Sequence, residues 1–274
     1  MSASTPALLV RHVRAQNKIF WRVPIGAFFA LVLPVVMLVL FVALFGGNEF
    51  TTEYGFVSRA QFYTPALAVF SAASATYTNL GINLSIRRDE GILRRVRGTP
   101  LPPWIYLAGV VGSGVFVALL GTVFMTALGV VAYGVNIELA KLPAMIVTFV
   151  VGSATFSILG VALASLASSA AAAPALANAT LLPVAFVSNV FISFEGEAPR
   201  WLTFVGDLFP LRHFALAYGE AMSPFSDPPA LAWDRLGVIA LWGVVGALIA
   251  WRKFSWEPAV GARTTRGRRG SRRR

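Results

Sequence analysis

Six windows of mostly apolar residues, at 24–45, 62–84, 104–135, 142–167, 174–194 and 236–251, run through this 274-residue chain, and none holds an Asp, Glu, Lys, Arg or His well inside it. A helix of about 20 such residues matches the ~30 Å hydrocarbon layer of a bilayer. Within that layer every backbone N–H and C=O needs a partner inside the protein, which restricts the windows to helices. With 57% hydrophobic and 13% charged residues, the main solvent of the chain is lipid. The expectation is an all-α integral membrane protein with six transmembrane helices. The third window is long enough to tilt. The sixth is short, with Trp233 and Trp251 roughly 27 Å apart at helical rise to mark its two interfaces. The first window follows four spaced basic residues and has no small-residue cleavage pattern behind it, so it reads as a retained helix.

The windows are defined by hydrophobicity alone, so the basic residues are an independent guide to orientation. The stretch before the first window (Arg11, Arg14, Lys18, Arg22), the second loop (Arg87, Arg88, Arg94, Arg95, Arg97) and the stretch after the sixth window hold 18 of the 23. Only Asp89, Glu90 and Glu257 of the 12 acidic residues share that side. Both termini are expected to be cytoplasmic. The net charge of +11 draws seven charges from Arg263, Arg266, Arg268, Arg269, Arg272, Arg273 and Arg274, so it is local and gives no sign of a nucleic-acid groove. Without cysteine there is no disulfide or thiolate chemistry, and His12 and His213 are the only histidines.

The chain divides into a cytoplasmic interfacial helix (1–23), a six-helix domain (24–254) and a disordered basic tail (255–274). In the first segment Arg11, Arg14, Lys18 and Arg22 recur every three or four residues while Leu9, Val13 and Phe20 occupy another helical face. That pattern suits a helix lying in the membrane interface; the alternative is an irregular leader carrying positive-inside charges. The tail either adheres to anionic membrane lipid or only enforces orientation.

Proton- or sodium-driven transport needs an ionisable group at membrane depth, and embedded hydrolases need converging carboxylates or histidines, so both classes are disfavoured. Asn79, Asn83, Asn178 and Asn189 lie in or near the windows, either to bond between helices or to touch a substrate. Gly160, Ala164 and Ser168, and Gly114 with Ala118, mark close helix approaches. Pro34 and Pro183 each remove a backbone donor and bend their helices, opening a cavity or simply setting geometry.

The second loop, 85–100, carries Glu90 four residues before Arg94, an apolar stripe of Ile86, Leu93 and Val96, and a Gly98–Pro100 stop. A short helix with a docking face for a cytoplasmic partner is expected there. The run Arg-Arg-Asp-Glu-Gly-Ile-Leu-Arg-Arg-Val-Arg-Gly-Thr-Pro-Leu-Pro-Pro-Trp over 87–104 resembles the cytoplasmic coupling segment of ABC transporter permeases of the type 2 exporter class, which includes daunorubicin-resistance-like drug exporters. Asn189-Val190-Phe191-Ile192, Pro199-Arg200-Trp201-Leu202 and Phe209-Pro210-Leu211-Arg212-His213-Phe214 resemble the segment between the fifth and sixth spans of that class.

The resemblance implies that Arg87, Arg88, Asp89, Glu90, Gly91, Arg94 and Arg95 seat a coupling helix in a cytoplasmic ABC ATP-binding subunit, present in two copies, while the interfacial helix helps to hold it. It also implies a re-entrant extracytoplasmic hairpin with Pro199, Trp201, Phe209, Pro210 and His213, for which a folded surface loop is the alternative. A second permease half, identical or homologous, is implied as well. So is a pathway lined by residues such as Asn79, Asn83, Asn178, Phe186, Asn189 and Phe191. The location implied is a bacterial plasma membrane, crossed several times. No Gly-x-x-x-x-Gly-Lys-Ser/Thr phosphate loop occurs, so ATP and Mg are expected on the separate subunit and no cofactor on this chain. The function expected is export of an amphiphilic drug, antibiotic or lipid-like molecule. A glycan or lipid-carrier exporter, a membrane-embedded enzyme and an assembly factor are the alternatives.

Overall fold

A computed structural model describes residues 5–22, 24–45, 50–52, 55–99, 101–192 and 199–257. The basic tail beyond residue 257, Pro100, and Glu195 of the fifth loop lie outside them. The chain opens with α1 (Thr5–Trp21). The first apolar helix follows as α2 (Pro24–Ala27), a π turn (Phe28–Val32) and α3 (Leu33–Phe45). Pro34 has no N–H to offer the Ala30 carbonyl four residues back, and the Ser71 hydroxyl donates to that carbonyl from the neighbouring helix at 2.7 Å. The expected disturbance at Pro34 is therefore present as a widened turn whose spare acceptor is satisfied by another helix.

β1 (Phe50–Thr52) and β2 (Gly55–Val57) form an antiparallel hairpin with Phe50 opposite Val57. This hairpin departs from the all-helical expectation; aromatic and β-branched residues flank a two-residue connection there.

The second helix is unbroken from Arg59 to Asp89: α4 (Arg59–Ala73), a π segment (Ser74–Asn79) and α5 (Leu80–Asp89). Ser58 caps it, accepting from the Gln61 N–H at 3.2 Å. It is the inner helix of the fold, with thirteen of the fifteen α4 residues buried. After α6 (Ile92–Arg97), α7 (Pro103–Tyr133) is about 45 Å long at helical rise and ends at Gly134, in the left-handed region with φ 67°. A 3₁₀ turn (Leu139–Lys141) leads into α8 (Leu142–Leu166). Then come α9 (Ala172–Val187), α10 (Arg200–Asp207), α11 (Pro210–Met222) and α12 (Trp233–Lys253).

Among the described residues, Pro103–Tyr133, Leu139–Leu166 and Trp233–Lys253 are long and apolar enough to cross a membrane by length and composition; Ala30–Phe45 and Ala172–Val187 are shorter apolar helices. α9 stops seven residues before the end of its window. Ser188 ends the helix and Asn189 turns left-handed with φ 59°, a conformation Asn tolerates.

Small residues set the packing, as their spacing indicates. A Cβ on Gly160 would fall 2.6 Å from the Thr76 carbonyl oxygen, so α8 presses directly on the π segment. Ala164 and Ala118 are buried, whereas Ser168 lies past the end of α8 and is exposed. At the end of the molecule opposite α6, Gln61 donates to the Met222 carbonyl at 2.7 Å and accepts from the Asn136 N–H at 2.9 Å. Lys141, one of the five basic residues outside the three basic stretches, is fully buried there, donating to Glu138 at 3.0 Å and to the Ser223 carbonyl at 2.7 Å.

Candidate functional site

The basic loop is an elbow rather than one helix. α5 runs on through Asp89, and Gly91 (φ 70°) turns the chain so that α6 leaves in a new direction. This turn takes Glu90 and Arg94 out of helical register, and the pair read from their spacing does not form among the described residues. The stripe is partly upheld. Leu93 is fully buried against Leu84, Tyr106 and Val110, with Val96 beside it, while Ile86 stands outside the cluster. Phe254 and Trp256 pack on the same cluster, edge to face at 5.4 Å, so the ordered chain continues past the expected start of the tail at 255.

The elbow is bolted to α8 by one side chain. Arg88 is 6% exposed and donates to the carbonyls of Ala164 and Ala167, each at 2.6 Å, at the C-terminal end of α8 where helical carbonyls lack partners. Asp89 pairs with it at 3.4 Å and accepts from the Ala170 N–H at 2.6 Å, just ahead of α9. These two residues, expected on a docking face, are committed inside the protein. Glu90, Arg94, Arg95 and Arg97 are the exposed ones.

α1 carries Arg11, Arg14 and Lys18 on its exposed side, and Arg22 is exposed just past its end. Its other face meets α7. Cβ atoms on Gly109 and Gly112 would collide with His12 and Val13, and Ser113 donates to Asn17 at 2.6 Å. Burial first, and Arg87 second, lower the His12 pKa from its usual value, and the Gln16 amide N–H donates to its Nε2 at 3.1 Å. His12 lies against Tyr106 at 5.2 Å, and the Tyr106 hydroxyl accepts from Arg87 at 3.1 Å. Between α1, α2, α5 and α7 is a cavity of about 50 Å³ lined by Gln16, Asn79, Asn83 and Arg87 among others. The Asn83 side-chain amide donates to both the main-chain carbonyl and the side-chain oxygen of Asn79. Sequence reasoning missed Gln16, although a signal was present: it interrupts the Leu9–Val13–Phe20 stripe with a polar side chain.

The residues expected to line one pathway do not share a surface. Asn79 and Asn83 face this cavity, and Asn178 and Phe186 lie on the exposed side of α9. Phe191 is 7% exposed and packs among Phe41, Phe70 and Phe186, with centroids 6.4, 4.8 and 5.1 Å away; it is core. Asn189 serves the turn. In the segment before α12, Pro199 caps α10, which exposes Trp201, and Pro210 opens α11, which is largely buried. Arg212 and His213 tie the corner by donating to the Asp207 side chain and carbonyl, each at 2.8 Å. Phe209 stacks on Trp242, whose indole N–H reaches the Leu208 carbonyl at 3.0 Å.

Residues 8–222 match the ABC-2 type transporter family. The chain is 31% identical over 230 residues to the daunorubicin resistance ABC transporter permease protein DrrB1 of Streptomyces coeruleorubidus, covering 80% of this chain and 76% of that one. It is 24% identical over 224 residues to the inner membrane transport permease YadH of Escherichia coli K12, covering 81% and 85%. It is 28% identical over 221 residues to the putative transport permease ycf38 of Cyanophora paradoxa, covering 75% and 70%. The match takes in α1, the elbow and α11 together, and with the apolar helices around them it establishes that the chain belongs to the ABC-2 type transporter family, as a multi-pass membrane permease.

Proposed function

We propose that this chain is the membrane half of an ATP-driven exporter, with ATP and Mg bound by a separate cytoplasmic subunit that docks on the elbow. The observation that carries this is mechanical. The exposed Glu90, Arg94, Arg95 and Arg97 stand on a unit fastened through Arg88 to α8 and through Leu93 to α7 and the C-terminal Trp256. A push there reaches helix 59–89 and α8 directly, because no flexible loop lies between. In this reading the chain crosses the membrane six times, through residues 24–45, 59–89, α7, α8, α9 and α12, with both termini in the cytoplasm. α10 and α11 form the re-entrant hairpin on the outer side.

The substrate proposed is a drug-like or lipid-like amphiphile, in keeping with the name of the daunorubicin-resistance relative. A second permease half would meet the exposed side of α9, where Asn178 has no hydrogen-bond partner among the described residues and would be costly against lipid.

Co-purification tests the docking. The ATP-binding subunit encoded beside this chain should purify with the wild type. Glu90→Arg, which alters only an exposed side chain that is unpaired among the described residues, should lower the recovered subunit and the coupled ATPase by about tenfold while leaving the melting temperature unchanged. Wild-type coupling in that variant would remove the elbow from the interface.

A further inference from the structure

The cavity between α1 and helix 59–89 has the chemistry of a binding site that the coupling reading leaves unused. Gln16 is 7% exposed, lines the cavity, and its Oε1 has no hydrogen-bond partner among the described residues. A buried carbonyl without a donor is costly unless something else supplies one. Arg87 lines the same cavity and gives one N–H to Tyr106, which leaves most of its planar donor fork without a partner among the described residues. The chain Gln16–His12–Tyr106–Arg87 holds both groups in place from behind.

The occupant must therefore present an acceptor, best an anion, to the guanidinium and a donor to Gln16. Size narrows the choice. About 50 Å³ holds roughly four water-sized groups, enough for a phosphate but not for a ring system or a whole lipid. Ile19 also lines the cavity and is 44% exposed, so the polar interior continues into apolar surface. An amphiphile with a phosphate at its polar end fits both halves.

We propose that this cavity holds the headgroup phosphate of a membrane phospholipid, with Arg87 gripping the phosphate and Gln16 Oε1 accepting from an ethanolamine ammonium or a glycerol hydroxyl. The lipid would brace α1 against helix 59–89. Phosphatidylethanolamine and phosphatidylglycerol meet both demands. Phosphatidylcholine supplies the phosphate without the donor, and diacylglycerol lacks the phosphate. The assignment to the inner leaflet rests on the cytoplasmic placement of Arg87 proposed above, but the binding itself does not.

Native mass spectrometry of the full chain, released from detergent in equal mixtures of these four lipids, tests the site without any ATPase present. Its outcome is thus independent of the docking experiment. The wild type should retain phosphatidylethanolamine and phosphatidylglycerol about tenfold over diacylglycerol. Arg87→Gln should abolish that preference, and Gln16→Leu should erase only the advantage over phosphatidylcholine. If either variant melts early, the headgroup ranking on the wild type decides alone. Equal retention of diacylglycerol, or a normally melting Arg87→Gln that keeps its lipid, overturns the proposal. So does displacement of the lipid by millimolar inorganic phosphate, which would make this a site for a free anion.

Discussion

Helix 59–89 and α12 are both long enough to cross a bilayer, and they solve the problem with opposite chemistry. α12 is apolar enough to mark itself as a span, yet only 22% of its most apolar window is buried within the chain. Leu241, Val244, Leu248 and Trp251 point outward. Helix 59–89 carries Gln61, Thr64, Ser71, Thr76, Asn79 and Asn83 and lies outside the three helices that qualify by composition, yet thirteen of the fifteen residues of its first part, α4, are buried. In lipid, hydrophobicity marks the surface that faces solvent. The interior is built from small residues and hydroxyls, because tails and leucines offer helices no net reason to associate.

If that contrast is right, the energetics of the chain concentrate on the inner helix. The largest effect should come from Arg88→Ala, which strips the donor from the carbonyls of Ala164 and Ala167 and leaves Asp89 without its cation. A loss of about 3–5 kcal/mol is expected in denaturant titration of the detergent-solubilised protein. A loss below about 1 kcal/mol would show that water replaces the guanidinium freely.

Next comes a matched pair of glycines. Gly160→Leu must displace the backbone of the π segment and should cost about 3 kcal/mol. Gly237→Leu on α12 meets nothing within 4 Å and should stay within about 0.5 kcal/mol. Equal melting temperatures would break the distinction between inner and outer helices.

The smallest effect sharpens it. Ser71→Ala should cost about 1 kcal/mol by orphaning the Ala30 carbonyl. Pro34→Ala restores a backbone donor to that carbonyl, so in the double variant most of the Ser71→Ala penalty should vanish. A penalty that persists would assign the Ser71 hydroxyl a different role.

The same contrast explains what was legible beforehand. The windows that became α3, α7, α8 and α12 could be read because their outer faces must satisfy lipid whatever they pack against inside. The proposed docking surface was only half legible. Arg88 and Glu90 look alike in a list of charged loop residues, yet Arg88 is turned inward because the end of α8 brings unpaired carbonyls within its reach. Phe191 looked like a pathway residue for a similar reason: aromatic rings serve a core and a channel wall equally well, and only its neighbours Phe41, Phe70 and Phe186 distinguish the two. Gln16 was an available clue, a polar side chain in an apolar stripe, but its meaning waited on a cavity formed by residues far along the chain.

Sequence alone was enough to establish a multi-pass membrane protein with no titratable group well inside its apolar windows, since both properties follow from the transfer of individual residues between water and hydrocarbon. Which loop cations are free to meet a partner, where the helices widen at Pro34 and beside Gly160, and what faces Gln16 were decided by the tertiary structure. Those outcomes depend on which carbonyls and side chains from distant segments come within hydrogen-bonding range, and residue-by-residue transfer energies carry no record of that.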